Sequence, residues 1–526
     1  MDNAHTTHQM GSEVDEVADH YWAALVQSSP TLATALGLDL NQDEYDDLSP
    51  AGLDAQYRLA MDTLDRLDQA MPADDTDRIT VAAMRSSLGL EAESHDKGYD
   101  LLSLNGIASG VHEIREVYDA MPTETPDQVS TIARRLHATG PALDGWLATQ
   151  RASIDAGIPA AIRQVDLLVE QITAWTSDGG FFDDYLKRTA SRDLPDAVTT
   201  ALAEGIDAAK GNFRRTAEAL STEIAPLATE TDAVGIDRYR LASRQFVGTT
   251  VDLAETYEWG KQELARIEQL QRETAERIRP GASIKEAMAV LDADPAYQIT
   301  GTAALKVWMQ ERADEAISSL DGTHFEVPEQ ARHIEGMIAS THDGGVYYTP
   351  HEGAPGHHLQ TSSAIAAREE LNSWRRNYWT SGYGEGWALY AEWLMADLGY
   401  MDDPGHFMGL LDGQSMRAAR VVLDIGLHCQ FEAPEEMGGG EWNWDKAWAF
   451  FNNHVSMDEG SARYEVNRYF GWPGQAPSYK LGERTWLELR EAAKAKDPNF
   501  DLKEFHTTAL RMGALPLDVL RRAMLS

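Results

Sequence analysis

A histidine-rich segment in the C-terminal part of the chain carries the residue types of a zinc site. It reads His351-Glu-Gly-Ala-Pro-Gly-His-His-Leu-Gln360. Zinc in enzymes is held by neutral imidazoles and carboxylates in a roughly tetrahedral arrangement, with one position open for water. A glutamate directly after a histidine ligand can act as the general base that activates this water. His351 is therefore the first candidate ligand, and Glu352 is the candidate base.

Helical geometry does not decide the second histidine ligand. His357 and His358 stand six and seven positions after His351. At about 100° per residue, six residues leave His357 about 120° off the face of His351, whereas seven bring His358 back to that face. The rise over seven residues is about 10.5 Å, which is long for two ligands of one ion. Pro355 and Gly356 can bend the segment, so both histidines remain candidates.

A glutamate on a second predicted helix is the third candidate ligand. The segment Tyr383-Gly-Glu-Gly-Trp-Ala-Leu-Tyr-Ala-Glu392 begins a helix on which Glu385 and Glu392 share one face. A single glutamate on a helix is in most cases simply solvated. The combination of a His-Glu pair, two adjacent histidines and this helix nevertheless favours a metal site that includes Glu385.

These motifs resemble those of the bacterial DUF885 proteins, which carry HExxPGHHLQ and GYGEGWALYAE. The resemblance extends over most of the chain, from 35–37 and 259–267 to 473–482. The family looks like a distant relative of the helical M32 carboxypeptidases and of other gluzincin metallopeptidases. It therefore implies a helical zinc metallopeptidase, with carboxypeptidase action as an analogy only.

Gluzincins place a Gly-His pair at the second ligand, as in HExGH or HExxGH. The Gly-His pair that ends at His357 matches this pattern. The resemblance therefore implies that His351, His357 and Glu385 hold the zinc. Glu352 is then the general base, and His358 is a substrate-binding or supporting residue.

One stretch departs from the family pattern. Family members carry further residues between a Gly-Val-Tyr-Tyr run and the His-Glu motif, including the first half of the active-site helix. Here Tyr348-Thr-Pro350 runs directly into His351. A proline at this position starts the helix at the ligand itself. The departure therefore affects the expected local geometry and not the choice of ligands.

A predicted helix further along the chain carries three more candidates. Arg420, Asp424 and His428 follow at four-residue spacing and resemble the family's R…DxGxH pattern. Asp424 is a candidate to orient a ligand imidazole. Arg420 or His428 is a candidate to hold a substrate carboxylate. An ordinary buried ion pair between helices explains these residues equally well.

A later stretch supplies a candidate for oxyanion stabilisation. Gluzincins often use a tyrosine hydroxyl for this purpose. We choose Tyr479, with Tyr464 as the alternate, and core packing is an equally good interpretation of each. Arg468, in the same stretch, is a candidate for substrate binding or support.

The elements that must position these residues are mostly helices. Ser12 is the candidate N-cap of the first helix, and Pro141 should split or kink the helix that contains it. Apolar residues recur at three- and four-residue spacing over 14–26, 53–71, 128–152, 160–175, 197–225, 253–277, 284–291 and 303–320. Four tryptophans near the metal motif also fall near helical spacing and favour core packing over a binding platform: Trp374, Trp379, Trp387 and Trp393.

A different pattern precedes the histidines. Phe325-Glu-Val-Pro328 and Gly344-Gly-Val-Tyr-Tyr348 are β-branched and aromatic runs next to Gly and Pro, which predicts a small β-sheet. We therefore expect a mainly α protein, with one large multi-helix domain and a small sheet beside the active-site cleft, similar to the M32 carboxypeptidases. The expected regions are an N-terminal helical part over 1–324, the sheet segment over 325–350 and a helical catalytic part over 351–526.

The charge balance limits the partners. The formal net charge is −40, so the surface repels phosphate backbones and anionic lipid and favours solubility at high salt. Met1 to Glu16 has no apolar stretch of a signal peptide, and no apolar run of about 18 residues appears. Cys429, the single cysteine, reads as a buried thiol. We expect a cytoplasmic protein with no nucleic-acid or membrane partner, and a homodimer as an open arrangement.

The sequence thus favours a Zn²⁺-dependent metallopeptidase that acts on short peptides. A non-peptide amide remains the alternative substrate, because zinc hydrolysis chemistry does not specify what is cleaved. A catalytically silent helical binding protein is the other alternative. An intact Glu352 argues against it, because the base serves no structural need.

Overall fold

The computed structural model describes residues 11–190, 192–334 and 349–526, and in these ranges the protein is built from helices. Within the described ranges no β-strand forms, and the only β-type pairings are isolated bridges at Ala161–Thr229 and Asp321–Phe325. The helices are α1 Glu13–Ser28, α2 Pro30–Ala35, α3 Pro50–Gln69, α4 Asp75–Asp96, α5 Gly110–Ala120, α6 Pro126–His137, α7 Thr139–Asp155, α8 Ile162–Thr176, α9 Phe181–Ala190, α10 Asp196–Ala219, α11 Ile236–Val247, α12 Leu253–Ile278, α13 Ile284–Ala293, α14 Thr302–Leu320, α15 Thr349–Glu352, α16 His357–Ala366, α17 Ser373–Asn377, α18 Ser381–Asp397, α19 Pro404–His428, α20 Trp444–His454, α21 Glu459–Gly471, α22 Ser478–Lys496, α23 Leu502–Arg511 and α24 Leu517–Leu525.

Local sequence signals explain where several of these helices begin. Ser12 and Asp15 form a capping box at the start of α1, which confirms the predicted N-cap. The helix predicted over 128–152 is split, because α6 ends at His137 and α7 begins at Thr139. Pro141 lies in the first turn of α7, where its missing N–H costs no intrahelical hydrogen bond. The predicted split is therefore confirmed.

The predicted small sheet is wrong for the described part of its segment. Phe325 and Val327 are buried in the helical core rather than paired in strands. The ring of Phe325 stacks on His506 at a centroid distance of 4.6 Å and meets the edge of Trp387 at 6.2 Å. Alternating apolar residues thus pack between helices here, and Pro328 offers no N–H to a strand ladder. The run over 344–348 lies outside the described residues.

The N-terminal helices pack against the helices that carry the candidate site. Asn372 donates to Asp15 over 3.1 Å, and the Ser373 N–H donates to Asp19 over 2.6 Å, so α17 is held on α1. A shared apolar cluster joins α1, α3 and α4 to α18, α22, α23 and α24. The boundaries at 324 and 350 stay a prediction from the sequence.

Helices α18 and α22 contact each other through their backbones. Gly386 on α18 faces Gly482 on α22, and a Cβ on either glycine would overlap the backbone of the other. Gly382, one turn earlier on α18, likewise contacts Gly482. Because Glu385 lies between these two glycines, its position is fixed by this close helix pair. None of the described helices is long and apolar enough to cross a bilayer.

Candidate metal centre

The structure brings three of the predicted ligands together from three different helices. His351 lies on the short helix α15, His357 is the first residue of α16, and Glu385 lies in the first turns of α18. Each offers one ligand atom, and these atoms all lie within 4.8 Å of one another. The chain leaves helical geometry between His351 and His357, so the rotation expected for one straight helix does not apply.

Two of the three donor separations in this cluster suit a tetrahedral zinc ion. Oε2 of Glu385 lies 3.3 Å from Nε2 of His351 and 3.3 Å from Nε2 of His357. Two ligands in a tetrahedral zinc site, each about 2.05 Å from the metal, stand about 3.3 Å apart. The two imidazole rings are perpendicular, with centroids 5.0 Å apart. Two imidazoles and a carboxylate in this arrangement fit a zinc ion.

The surroundings of the cluster favour positive charge. Burial is the largest influence on the pKa of His351 and lowers it, but hydrogen bonds to Glu385 and Glu392 raise the pKa to about 9. For Glu385, burial is again the largest single influence, and it raises the pKa. Hydrogen bonds and charge from His351 and His357 together outweigh burial and hold the pKa of Glu385 far below its ordinary range. A cation of either kind, proton or metal, is therefore stabilised at this point.

Glu392 supports His351 from behind. Its Oε1 lies 2.8 Å from Nδ1 of His351, which leaves Nε2 of the same ring directed to the cluster. Its Oε2 accepts a hydrogen bond of 3.0 Å from the Gln414 amide on α19. Glu392 lies two helical turns after Glu385 on α18 and is fully buried. This is the carboxylate–histidine arrangement that fixes the tautomer of a metal ligand.

The polar contacts continue from Gln414 to α22. Lys480 donates to the Gln414 carbonyl over 2.7 Å and is itself buried. Its ammonium also contacts Glu483 over 2.9 Å and Glu263 over 3.0 Å. Because Lys480 can only donate, the Gln414 amide must direct its oxygen to Lys480 and its nitrogen to Glu392. The carboxylate behind His351 therefore has a fixed orientation.

Glu352 and His358 lie beside the cluster and outside it. Glu352 ends α15 directly after His351, and it is exposed and makes no hydrogen bond to a described residue. His358 is half-buried, and its Nε2 has no partner among the described residues. The structure therefore places His357, and not His358, with His351.

Trp379 is the one member of the predicted tryptophan core group that is exposed. Trp374 and Trp387 are buried, as predicted, and Trp393 is partly buried against a core cluster. Trp379 is 49% exposed, and its ring centroid lies 5.7 Å from that of His357. Core packing is thus wrong for Trp379, which lies at the edge of the cluster of His351, His357 and Glu385.

The supporting roles predicted on α19 are not found. Asp424 accepts hydrogen bonds from the Tyr239 hydroxyl over 2.6 Å and the Gly474 N–H over 2.9 Å, and it contacts no ligand imidazole. Glu392 takes that place because it lies on the ligand-bearing helix. His428 is fully buried, with its Nε2 2.7 Å from the Tyr469 carbonyl, so it does not reach a substrate.

The arginines of this region form a buried ion pair. Arg420 donates to Glu465 over 2.8 Å and to the Tyr469 hydroxyl over 2.8 Å. Arg468 donates to the other oxygen of Glu465 over 3.2 Å. Both guanidinium groups lie against the ring of half-buried Tyr479, at 5.0 and 5.9 Å from its centroid. Arg420 is buried and paired with Glu465, as the ion-pair interpretation of this residue expects.

Gln414, Lys480 and exposed Trp379 were not predicted as parts of the site. Gln414 and Lys480 lie far along the chain from the histidines and belong to no spacing pattern that signals a metal. Only the packing of α19 and α22 against α18 brings them behind His351. The position of Trp379 before two glycines of α18 was the one local signal for its contact with that helix.

A family model described as "Bacterial protein of unknown function (DUF885)" matches residues 30–351 and 348–524. The chain belongs to the DUF885 family. The two matched segments meet at 348–351, where the stretch carried by other DUF885 members was expected to be missing. No curated protein matches this DUF885 chain.

Two solved structures share the fold of this DUF885 protein. One is described as "putative lipoprotein" from Colwellia psychrerythraea, with 21% identity, a TM-score of 0.85 and coverage of 98% of each chain. The other is described as "a putative lipoprotein of unknown function" from Shewanella oneidensis, with 17% identity, a TM-score of 0.72 and coverage of 98% of this chain and 100% of that one. At these identities the likeness shows the fold alone.

These comparisons correct two expectations. The link from DUF885 to the M32 carboxypeptidases and gluzincins finds no support in them. The predicted cytoplasmic location is contradicted, because the two similar structures named above are both described as putative lipoproteins.

Proposed function

We propose that this protein is a zinc-dependent hydrolase that cleaves amide bonds in short peptides. The observation that carries the proposal is the convergence of His351, His357 and Glu385, in which Oε2 of Glu385 lies 3.3 Å from Nε2 of each imidazole. The buried carboxylate of Glu392 behind His351 adds the support typical of a metal ligand. Glu352, directly after His351, is exposed and makes no hydrogen bond to a described residue, so its carboxylate is available as a base.

A zinc ion at this site supplies Lewis-acid polarisation of a carbonyl and of the attacking water. Glu352 lies next to the cluster, on the exposed side of α15, where a water and a substrate can reach it. In the proposed reaction Glu352 accepts a proton from the water as its oxygen attacks the carbonyl carbon. Glu352 then passes this proton to the amide nitrogen as the C–N bond breaks, which releases a carboxylic acid and an amine.

Tyr479 is the proposed stabiliser of the oxyanion. The two arginines against its ring hold the side chain at the start of α22, close to the glycine contact with α18. Its hydroxyl makes no hydrogen bond to a described residue, so it is available as a donor to substrate. Arg468 supports this ring and remains a candidate for substrate binding.

The first experiment measures bound metal. Purified protein should carry close to one zinc per chain by elemental analysis. His351→Ala, His357→Ala and Glu385→Ala should each lose most of it, because every one removes a donor atom. His358→Ala is the matched control, since it removes an adjacent imidazole outside the cluster, and should keep its zinc. Full occupancy in the three ligand variants would contradict the assignment.

The second experiment tests catalysis with a peptide library read by mass spectrometry. The Glu352→Gln variant should bind as much zinc as the wild type and melt at the same temperature, because Glu352 is exposed and is not one of the proposed metal ligands. Its turnover should fall by at least about 10²-fold, the scale of losing a general base. Near-normal turnover would refute the mechanism. If the wild type binds zinc and cleaves no peptide, a non-peptide amide becomes the favoured substrate, and peptide binding without cleavage indicates a binding protein.

A further inference from the structure

An exposed indole lies at the edge of the cluster formed by His351, His357 and Glu385. Trp379 is 49% exposed and is the single tryptophan among the exposed large hydrophobic residues of the described chain. Its ring lies 5.7 Å from that of His357 between centroids, with 55° between the planes. Its six-membered ring also lies against Gly384, the residue directly before Glu385. The indole therefore lies close to His357 and against the residue next to Glu385, so it is near two of the three candidate ligands.

The position of this indole is set by its contact with Gly384 and by its two neighbours in the chain. A Cβ on Gly384 would overlap the six-membered ring of Trp379, so a glycine is required for the ring to lie on α18. The preceding residue, Tyr378, packs on Trp374 with ring centroids 4.5 Å apart. The following residue, Thr380, precedes α18 and donates to the Phe246 carbonyl over 3.2 Å. Trp379 is thus held between anchored neighbours.

An exposed tryptophan in a fixed position is a favourable surface for an apolar group. Its face is large, rigid and apolar, and little conformational entropy is lost when a ligand packs on it. A substrate whose amide lies at the cluster places the side chain next to that amide within reach of the indole. No hydrogen bond of the Trp379 side chain to a described residue competes with this packing.

We infer that Trp379 determines specificity by packing against an aromatic or large aliphatic side chain next to the scissile amide. The inference rests on the proposed hydrolase function, since it assigns a substrate class to the same site. Trp379 is in this account a residue of substrate binding and takes no part in proton transfer. The substrates favoured by the site are short peptides with a bulky apolar residue beside the cleaved bond.

The test compares peptides that differ only at that residue, with Phe, Ala or Lys. Wild type should cleave the Phe peptide with the highest kcat/KM. Trp379→Ala should reduce the Phe-to-Ala ratio by at least about tenfold, mainly through KM, while Trp379→Phe should retain most of it. Tyr400→Ala removes another exposed aromatic residue, outside the cluster, and should leave the ratio unchanged. Zinc content must stay equal in all variants.

A binding measurement keeps the inference testable without turnover. In the Glu352→Gln background, the Phe peptide should bind more tightly than the Ala peptide, and Trp379→Ala should remove the difference. Gly384→Ala should weaken the preference as well, because its methyl group displaces the ring. A Phe-to-Ala ratio that survives in Trp379→Ala overturns the inference, as does a preference of the wild type for Lys, which indicates cation–π binding. If no peptide is cleaved but the Phe peptide still binds more tightly than the Ala peptide, the proposed hydrolase function is wrong and the inference about Trp379 stands.

Discussion

At the scale of single residues, the Glu392 carboxylate decides how firmly His351 is held. It contacts Nδ1 of His351 over 2.8 Å and is itself held by Gln414. Glu392→Gln should lower zinc affinity by about 10- to 100-fold, because a neutral amide makes the imidazole a weaker ligand. Competition against a chelator of known affinity measures this change.

The chain offers a control of the same chemistry elsewhere. Glu268 contacts His454 in a pair remote from α15, α16 and α18 in the sequence. Glu268→Gln should leave zinc affinity unchanged, whatever it does to stability. Equal losses of affinity in both variants would mean that Glu392 acts through general stability and not through His351.

Asp424 gives the protein a pH dependence that can be isolated. Burial raises the pKa of Asp424 to about 7, although hydrogen bonds from Tyr239 and Gly474 and the charge of Arg468 lower it. The folded state therefore holds one proton more than the unfolded state between about pH 4 and pH 7. Its contribution to the free energy of unfolding is complete below about pH 4 and falls as the pH rises to about 7, by at most about 1.4 kcal/mol per unit.

Asp424→Asn separates this contribution from the many other carboxylates. The amide resembles the protonated acid, and its oxygen can still accept from Tyr239 and Gly474. The variant and the wild type should therefore have similar stability near pH 4, and the variant should be the more stable near pH 8. Denaturant unfolding across this range measures the difference. A variant that is less stable at pH 8 would show that the charged carboxylate is favoured in the fold.

Single residues also show what the sequence can and cannot predict. The residue types of the three candidate ligands were predictable, because a His-Glu pair and a glutamate helix are local patterns. The choice between His357 and His358 needed the family resemblance, since it depends on how the chain bends at Pro355. The orienting carboxylate was assigned to Asp424 instead of Glu392, because long-range packing alone decides which one faces His351.

At the scale of elements, the glycine contact between α18 and α22 sets the position of Glu385. Gly386→Ala adds a methyl group that overlaps the Gly482 backbone. The helices must move apart, and the free energy of unfolding should fall by about 1–3 kcal/mol, as for an overpacked core. Zinc occupancy should fall with it, because Glu385 moves with α18. Denaturant unfolding and metal analysis on one sample measure both.

The control for this substitution is a glycine in a helix with open space around it. Gly211 on α10 has no heavy atom within 4 Å of a built Cβ. Gly211→Ala should leave zinc unchanged and stabilise the protein by up to about 1 kcal/mol, because alanine is the better helix former. If Gly386→Ala behaves like this control, the close contact of α18 and α22 is not needed for the site.

The helices were the most predictable elements. Their apolar spacing extends over many residues, and signals such as Ser12 and Pro141 mark where they begin or break. The sheet predicted from Phe325 failed because β-branched and aromatic runs report burial rather than strand pairing. The break between α15 and α16 was foreseen as a bend at Pro355 and Gly356, but its geometry follows from contacts with α18.

At the scale of the whole molecule, the charge of −40 destabilises the folded state through repulsion between like charges. Salt shortens the screening length from about 10 Å at 0.1 M to about 3 Å at 1 M. The melting temperature should therefore rise over this range, and NaCl and KCl should act equally. An effect of one cation only would indicate specific binding instead of screening, and a fall in the melting temperature would contradict the repulsion argument.

The overall class of the molecule was predictable from the sequence. Composition and periodicity suffice for a helical globular protein, because burial of apolar faces governs the whole chain. The cytoplasmic expectation rested on charge and on apolar run lengths, which do not report location.

The separation of the ligands over α15, α16 and α18 has a consequence for engineering. A transplant of the His-Glu segment alone onto another scaffold carries two donor atoms and no residues that orient them. The orientation comes from Glu385 and Glu392 on α18, from Gln414 and Lys480 behind them, and from the glycine contact with α22. The smallest portable unit of this centre is thus a packed trio of helices, α18, α19 and α22, onto which the histidine segment can be added last.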